Sequence, residues 1–280
     1  MHPILVDLGT HDLPFLGTTH LFLPTYGLLF AAGVVLGWWW FLRRAARLGV
    51  DPDRAFNLTF YTLLAGIVGA KAALVLVGWR YYFAHPAEIL STLRIAGVLM
   101  GGILAGAAVF VLYALRQRLP LHRLGDAIAA PLALSQAIGR LGCFNAGCCW
   151  GVESPGLWCA VRFTDPVAAE RTGVPLSTPG YDHPLFPTQL VEMAADLALA
   201  AILTILYRKR IRPDGSTFLW YVLLYSLIRG TIEIWRGDTD RGLYFGGLLS
   251  TSQILSILAG LWALGMLIAY RFKREEPAAP

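Results

Sequence analysis

Residues 21–42 read LFLPTYGLLFAAGVVLGWWWFL, a run that contains no charged side chain. A bilayer core about 30 Å thick is crossed by roughly 20 helical residues, so this run is long enough to span a membrane. Composition extends the inference to the whole chain, because 56% of the 280 residues are hydrophobic and only 15% are charged. With a mean hydropathy of +0.57, these values exclude most soluble classes and predict an integral membrane protein.

Six further stretches of comparable length and hydropathy follow the first one. We therefore predict an all-α, polytopic membrane protein with about seven transmembrane helices, which forms a single membrane domain over residues 1–280. The predicted spans are approximately 21–42, 55–79, 95–115, 124–142, 187–206, 214–235 and 250–270.

The basic residues are distributed unequally between the two sets of loops that connect these spans. The loops on one side hold fourteen Lys and Arg residues and those on the other side hold six. Because basic loops are retained in the cytoplasm, we predict that the N-terminus lies outside and the C-terminus is cytoplasmic. The net charge of +5 then follows from topology and from anionic membrane lipids, and nucleic acid is not predicted as a partner.

Two segments outside the predicted spans have a distinct character. Residues 1–20 carry acidic and histidine side chains where a signal peptide needs a basic start and an apolar core, so we predict a segment on the periplasmic membrane surface. Residues 143–186 are rich in Gly and Pro and contain all four cysteines. We predict a structured external loop there, with strand character around 158–163.

Several ionisable residues lie inside the predicted spans. Each one costs several kcal/mol at membrane depth unless it faces the bundle interior and finds a partner, so each is a candidate site residue. They are Lys71, Arg140, Glu192, Asp196, Arg229 and Glu233.

Arg229 and Glu233 are four residues apart, and this spacing predicts that both lie on one face of the sixth span. Arg236 is expected to extend that face. The pair is either a structural ion pair or part of a phosphate site, since a guanidinium offers a planar fork of donors to phosphate oxygens. Glu192 and Asp196 have the same spacing in the fifth span, where the helix dipole near its start favours carboxylates.

Arg140 lies in the sequence GRLGCFNAGCCWG, residues 139–151. Gly139, Gly142 and Gly151 in this stretch permit close helix contact and a turn that approaches a ligand. The combination predicts an anion site near the outer end of the fourth span. Lys71, which follows Gly66 and Gly69 in the second span, either joins that site or extends toward the interface.

The four cysteines are Cys143, Cys148, Cys149 and Cys159. On the oxidising side of a membrane such a set forms disulfides, and three pairings are possible. A reactive thiol made nucleophilic by Arg140 is the alternative. Because no histidine lies between the cysteines, neither a metal site nor a cofactor is predicted.

These separated motifs resemble those of the prolipoprotein diacylglyceryl transferase family, and the resemblance covers nearly the whole chain. The matching segments are Tyr26–Gly27–Leu28, Gly69–Ala70–Lys71, Met100–Gly101–Gly102, Asp126 to Pro131 with Gln136, Gly139–Arg140–Leu141–Gly142, Pro187–Thr188–Gln189–Leu190–Val191–Glu192, the set Arg229, Glu233 and Arg236, and Gln253. Seven spans with an external N-terminus also agree with that family.

The resemblance implies a multi-pass protein of the bacterial cytoplasmic (inner) membrane that transfers diacylglycerol from phosphatidylglycerol to the cysteine thiol of a lipoprotein precursor. Its partners would be phosphatidylglycerol, the precursor's signal segment and membrane lipids. The implied catalytic residues are Arg140, Arg229, Glu233 and Tyr26, and the implied substrate-binding residues are Arg140, Gly139, Gly142, Gly151, Lys71, Arg236 and Gln189.

The chain departs from the family pattern at positions that bear on proton transfer. Met100 stands where the family has a histidine, and a thioether is not a base. Cys143 and Cys148 replace an asparagine and a glutamate of the family signature, and Phe186 replaces a second histidine. The alternative function is therefore a catalytically altered member that binds anionic phospholipid or lipoprotein signal segments.

Overall fold

The computed structural model describes residues 2–13, 17–94, 97–238 and 242–275. They belong to two compact units, of which the larger combines Met1–Trp39 with Asp126–Pro280 and the smaller is Trp40–Gly125. The helices are α1 Thr25–Arg47, α2 Pro52–Val77, α3 Trp79–Ala84, α4 Leu99–Arg116, α5 Leu121–Ala146, α6 Pro166–Thr172, α7 Thr188–Arg208, α8 Ser216–Ile232 and α9 Thr251–Glu275. Short 3-10 turns cover Pro86–Arg94, Glu233–Trp235 and Phe245–Gly247.

Seven helices in the described ranges are long and apolar enough to cross a membrane, which confirms the prediction of a polytopic helical membrane protein. They are α1, α2, α4, α5, α7, α8 extended to Trp235, and α9 up to Arg271. Their ends lie within a few residues of the predicted ones. The side of the membrane on which each terminus lies stays a prediction.

An antiparallel hairpin precedes the first membrane helix. Its strands are β1 Ile4–Leu13 and β2 Gly17–Pro24. The backbone N–H of Thr25 donates to the Pro3 carbonyl at 3.1 Å, so the start of α1 is joined to the start of β1. The N-terminal segment, predicted only as a surface element, thus has regular structure of its own. A second, very short pair joins β3 Leu243–Tyr244 to β4 Leu249–Ser250.

In the larger unit, α1 approaches α5 through small residues. The Ser135 hydroxyl donates to the Gly33 carbonyl at 2.8 Å and to the Pro131 carbonyl at 3.0 Å. A Cβ at Gly37 would lie 2.1 Å from the Ser135 hydroxyl oxygen, which leaves no space for a side chain. Close approach of this kind replaces the hydrophobic effect as the force that joins helices in lipid.

The start of α8 is held by a residue of α5. Asp126 accepts hydrogen bonds from the backbone N–H groups of Gly215, at 2.7 Å, and of Phe218, at 3.0 Å. A carboxylate there satisfies N–H groups that have no partner within the helix. Asp126 therefore fixes the position of the helix that carries Arg229.

The smaller unit is built on a close contact between α2 and α4. A Cβ at Gly69 would lie 2.7 Å from the Gly101 carbonyl oxygen, and one at Gly101 would lie 2.6 Å from the Gly69 carbonyl oxygen. A Cβ at Gly102 would likewise lie 2.8 Å from the Gly66 carbonyl oxygen. The glycines of the segments Gly69–Ala70–Lys71 and Met100–Gly101–Gly102 therefore allow the two helices to pack closely. Lys71, two residues after Gly69, donates to the Thr92 carbonyl at 2.6 Å.

Residues 143–186 contain less strand than predicted. Val161 and Phe163 form single bridges with Leu185 and Leu176, and the short helix α6 follows. Phe163 and Leu185 belong to a small buried apolar cluster, so this segment has its own core.

Candidate functional site

Four charged side chains from α5, α7, α8 and the 3-10 turn that follows α8 form a continuous row of ion pairs. Arg140 Nη2 lies 2.7 Å from Glu192 Oε1, and Arg229 Nε lies 3.9 Å from the same oxygen. Arg229 Nη2 lies 2.7 Å from Glu233 Oε2, the contact that the four-residue spacing predicts. Charges alternate along this row, which we call the ion-pair row, so each arginine has a carboxylate neighbour.

The two kinds of charge in this row differ in exposure. The Glu192 and Glu233 side chains are each 1% exposed, whereas those of Arg140 and Arg229 are 18% and 14% exposed. Each guanidinium has five N–H donors and uses only some of them on the carboxylates. Nη1 of Arg229 is buried and has no hydrogen-bond acceptor among the described residues. The arginines therefore retain donors for an anionic ligand.

Glu192 has a more central position than its sequence context indicated. Its place near the start of α7 suggested stabilisation by the helix dipole, yet it connects both arginines of the site. Asp196, one turn further along α7, is fully buried, and neither of its carboxyl oxygens has a hydrogen-bond partner among the residues that the structure describes. Two carboxylates four residues apart inside a predicted span were the signal for this pair.

Tyr26 and Gly142 contact each other at the start of α1. A Cβ at Gly142 would lie 3.2 Å from Cδ2 of Tyr26, so the glycine lets the phenol ring approach α5. The Tyr26 ring also stacks on Phe30, with centroids 6.0 Å apart. Gly139 differs, because a Cβ there would meet no described atom within 4 Å. Gly139 therefore leaves open space beside Arg140 instead of serving helix packing.

The turn after α5 brings three sulfur atoms together. The Sγ atoms of Cys143, Cys148 and Cys149 all lie within 4.8 Å of one another, a group we call the sulfur cluster. All four cysteines lie in the described ranges and are free thiols, so the predicted disulfides are not formed in this structure. Cys149 has a φ of 61°, a left-handed conformation that costs energy for a residue with a Cβ.

The environment of the sulfur cluster favours negative charge. Hydrogen bonds from the Cys143 and Cys148 thiols lower the pKa of Cys149, and the nearby guanidinium groups of Arg236 and Arg140 lower it further. Burial acts in the opposite direction and is outweighed. Cys149 is thus the member of the cluster whose surroundings favour a thiolate.

Gln189 and Thr188 hold the backbone of this turn. Gln189 Nε2 donates to the Cys148 carbonyl at 2.8 Å, and the Thr188 hydroxyl donates to the Cys149 carbonyl at 2.6 Å. Both residues are 1% exposed. The structure therefore places Gln189, predicted to bind substrate, in contact with the cysteine turn.

Gly151 and Arg236 pair across the end of the site. A Cβ at Gly151 would lie 2.4 Å from the Phe186 carbonyl oxygen, so this glycine serves close backbone packing. The predicted helical face does not continue to Arg236, because the helix ends before it and the chain becomes extended. The chain turns away there to bridge with Gly151. Arg236 forms a bidentate ion pair with Asp238, with Nε 2.7 Å from Oδ1.

Two other predicted site residues, Lys71 and Cys159, are not members of the ion-pair row or the sulfur cluster. Lys71 belongs to the smaller unit. His183, three residues before Phe186, has its Nδ1 2.5 Å from Glu153 Oε1, so a local carboxylate already contacts the imidazole.

Comparison with known proteins identifies the family. The sequence profile described as prolipoprotein diacylglyceryl transferase matches residues 16–269. The chain is 33% identical to phosphatidylglycerol–prolipoprotein diacylglyceryl transferase 2 of Clostridium perfringens over 233 residues, which cover 83% of this chain and 85% of that one. It is 30% identical to the Clostridium tetani transferase over 250 residues, or 89% and 94% of the two chains.

A cyanobacterial relative extends the match over nearly the whole length. The phosphatidylglycerol–prolipoprotein diacylglyceryl transferase of Synechococcus elongatus is 31% identical over 281 aligned positions, which cover 98% of this chain and 90% of that one. These similarities and the seven-helix fold lead to the same assignment. The chain belongs to the prolipoprotein diacylglyceryl transferase family.

Proposed function

We propose that this chain transfers the diacylglyceryl group of phosphatidylglycerol to the cysteine thiol of lipoprotein precursors, at the outer side of the bacterial cytoplasmic membrane. The observation that supports this most directly is the pair of arginines that share Glu192. The relatives named above carry this activity in their names, and a donor lipid with one phosphate matches two guanidinium groups with free donors.

Arg140 and Arg229 would bind the phosphate of phosphatidylglycerol. Negative charge grows on the departing glycerol phosphate when the bond between the glyceryl carbon and the phosphate oxygen breaks, and fixed guanidinium donors in a site with little water stabilise that charge. Glu192 and Glu233 hold the two arginines in place, so little reorganisation is needed during the reaction. Tyr26, about 39% exposed, would donate a hydrogen bond to the head group.

The acceptor must lose a proton before its sulfur can attack. The Glu233 carboxylate is engaged with Arg229, and His183 is engaged with Glu153. Met100 provides no base.

The test is transfer of a labelled diacylglyceryl group by the purified chain. The protein is reconstituted with phosphatidylglycerol and a peptide that contains a lipoprotein signal segment with its cysteine, and the thioether product is measured by mass spectrometry. We expect product with the cysteine peptide and none with the matching serine peptide. Arg140→Ala should abolish transfer, whereas Arg162→Ala, which removes an exposed ion pair with Asp182, should leave it unchanged.

The alternative is a member that binds phospholipid or signal segment without catalysis, and Met100 is the observation in its favour. It predicts saturable binding of phosphatidylglycerol that depends on Arg140 and no thioether product. A folded, lipid-binding protein that forms no product under any of these conditions would replace the transferase proposal by this alternative.

A further inference from the structure

The sulfur cluster has the composition of a metal site. Its three members each offer one Sγ, and these atoms lie within 4.8 Å of one another. Zinc bound tetrahedrally at about 2.3 Å from each sulfur holds the sulfurs about 3.8 Å apart. The three side chains therefore need shifts of about 1 Å or less to converge on one ion.

The hydrogen bonds from Thr188 and Gln189 do not use the sulfur atoms, whose own weak contacts are among the three thiols and from Cys148 Sγ to the Cys143 carbonyl at 3.7 Å. Thr188 and Gln189 fix the turn through the carbonyl groups of Cys149 and Cys148 and not through the thiols. Such contacts orient the turn without engaging its sulfur atoms, as supporting residues do in known metal sites. All three cysteines are partly exposed, so an ion and a further ligand have access.

The charges around the cluster match a zinc–thiolate complex. Three thiolates and one Zn²⁺ carry one net negative charge, and a fourth thiolate adds another. The guanidinium groups of Arg140 and Arg236 are positioned to interact electrostatically with Cys149. These guanidinium groups therefore oppose a bare cation but favour the anionic complex that forms when the thiols lose their protons.

Within the described ranges, no fourth Cys, His, Asp or Glu joins the cluster. Zinc sites with three protein ligands and an open position are typical of catalysis, whereas structural sites use four. A zinc ion deprotonates a coordinating thiol outright. This chemistry is what an alkyl transfer to sulfur requires, because the thiolate is the nucleophile.

We propose that Cys143, Cys148 and Cys149 bind Zn²⁺, and that the open fourth position takes the thiol of the acceptor cysteine. The second part rests on the proposed transferase function, whereas the first does not. The sequence spacing did not predict a metal site. The three cysteines come together only through the folded turn after α5.

The step balances without an oxidant or reductant. The S–H bond of the acceptor breaks as the S–Zn bond forms, and the proton goes to water. The sulfur then uses an electron pair to bond the glyceryl carbon, and the C–O bond to phosphate breaks with its electrons on the departing oxygen. The thioether product is a poor ligand for zinc and dissociates. Zinc thus performs the deprotonation for which Met100 is unsuited.

Metal content tests the first part. The full chain is purified with a reductant and without chelator, and zinc is measured by elemental analysis. In the Co²⁺-substituted protein, the intensity of the near-ultraviolet thiolate-to-cobalt band counts the bound sulfurs. We expect one ion per chain and three thiolates. Cys143→Ser, Cys148→Ser and Cys149→Ser should each weaken the affinity for zinc by about tenfold or more, whereas Cys159→Ser should retain the ion.

The acceptor peptide tests the second part. Adding the signal-segment peptide to the Co²⁺ protein should raise the thiolate count to four and shift the visible bands, and the serine peptide should do neither. Absence of bound metal, a count that does not reach three in the unmodified protein, or a disulfide within the cluster in the presence of zinc overturns the metal site.

Activity separates this inference from the proposed function. Full transfer by reduced, zinc-free protein overturns the role of zinc and leaves the transferase proposal standing. Conversely, a cobalt site that binds the acceptor thiol in a protein that forms no thioether overturns the transferase proposal and supports the metal site. Restoration of transfer by added Zn²⁺ after chelation supports both.

Discussion

Arg140 Nη2 and Glu192 Oε1 lie 2.7 Å apart and join α5 to α7 in the interior of the larger unit. The same oxygen is 3.9 Å from Nε of Arg229 on α8. One carboxylate oxygen therefore positions two cations from different helices. A buried carboxylate that is 1% exposed is stable only with such partners, so the arginines and Glu192 depend on one another.

Replacing Glu192 by Gln should reduce transfer severely while the protein remains folded. Glutamine preserves the shape and one acceptor oxygen but removes the charge that holds both guanidinium groups. We expect kcat/KM to fall on the order of 100-fold, the usual effect of losing a fixed electrostatic group. Labelled-lipid kinetics measure this change.

The matched control is Glu153→Gln, which alters a carboxylate that contacts His183 in the loop. It should leave kcat/KM within about twofold, because loss of an exposed ion pair has little effect. Normal kinetics of the Glu192 variant would show that the shared contact is not required for phosphate binding.

The membrane helices were predictable because each span must present roughly 20 apolar residues, whatever its neighbours are. The ion-pair partners of Glu192 were not predictable, because helical spacing relates this residue to Asp196 but does not indicate which helix lies opposite. The N-terminal hairpin was missed for a different reason. Its pairing shifts between Ile4 and Val6 and again between Asp7 and Gly9, and such shifts break the alternation by which strands are detected.

The spacing of the cysteines in the sequence does not predict the sulfur cluster either. Cys148 and Cys149 are neighbours in sequence, but their approach to Cys143 requires the turn after α5. That turn uses positive φ angles at Gly147 and at Cys149. A left-handed cysteine is rare, so the sequence pattern alone is compatible with a disulfide or a reactive thiol and does not indicate a metal site.

Asp126→Ala should lower both stability and transfer. The change removes the carboxylate that accepts from the N–H groups of Gly215 and Phe218, and loss of a helix cap costs about 1–2 kcal/mol. Because α8 carries Arg229, its displacement should also raise KM for phosphatidylglycerol. Thermal unfolding in detergent and lipid-dependent kinetics are the measurements.

Asp51→Ala is the matched control for this change. Asp51 caps α2 in the smaller unit by accepting from the N–H of Arg54 at 3.0 Å. It should lower the unfolding temperature without a specific rise in KM. If both variants affect KM alike, the cap of α8 has no particular role in lipid binding.

Gly37→Ala should destabilise the contact between α1 and α5. The new Cβ would lie 2.1 Å from the Ser135 hydroxyl oxygen, a distance that forces a backbone or side-chain shift. Overpacking of this kind costs about 1–3 kcal/mol. Ser135→Ala in the same chain removes that oxygen and should recover part of the loss in unfolding temperature.

Gly265→Ala, on α9, has no described atom within 4 Å of its new Cβ and should be neutral or slightly stabilising. Equal losses for the Gly37 and Gly265 variants would indicate that helix propensity in detergent, and not close packing, decides the result. The double variant with Ser135→Ala provides the sharper measurement, because rescue requires the specific contact.

The pH dependence of alkylation tests the electrostatics of the sulfur cluster. Hydrogen bonds from Cys143 and Cys148 lower the pKa of Cys149 below the ordinary value of a thiol, so its thiolate persists as the pH falls. In reduced, zinc-free protein, the iodoacetamide rate at Cys149 should therefore change little between pH 7 and pH 9, whereas an ordinary thiol loses about tenfold per pH unit below its pKa.

Replacing Cys143 and Cys148 together by Ala removes both donors and should make the rate at Cys149 rise steeply with pH. Arg236→Ala should cause a smaller change in the same direction, and mass spectrometry of the Cys149 peptide follows each rate. A steep rise in the unmodified protein would contradict a stabilised thiolate at this position.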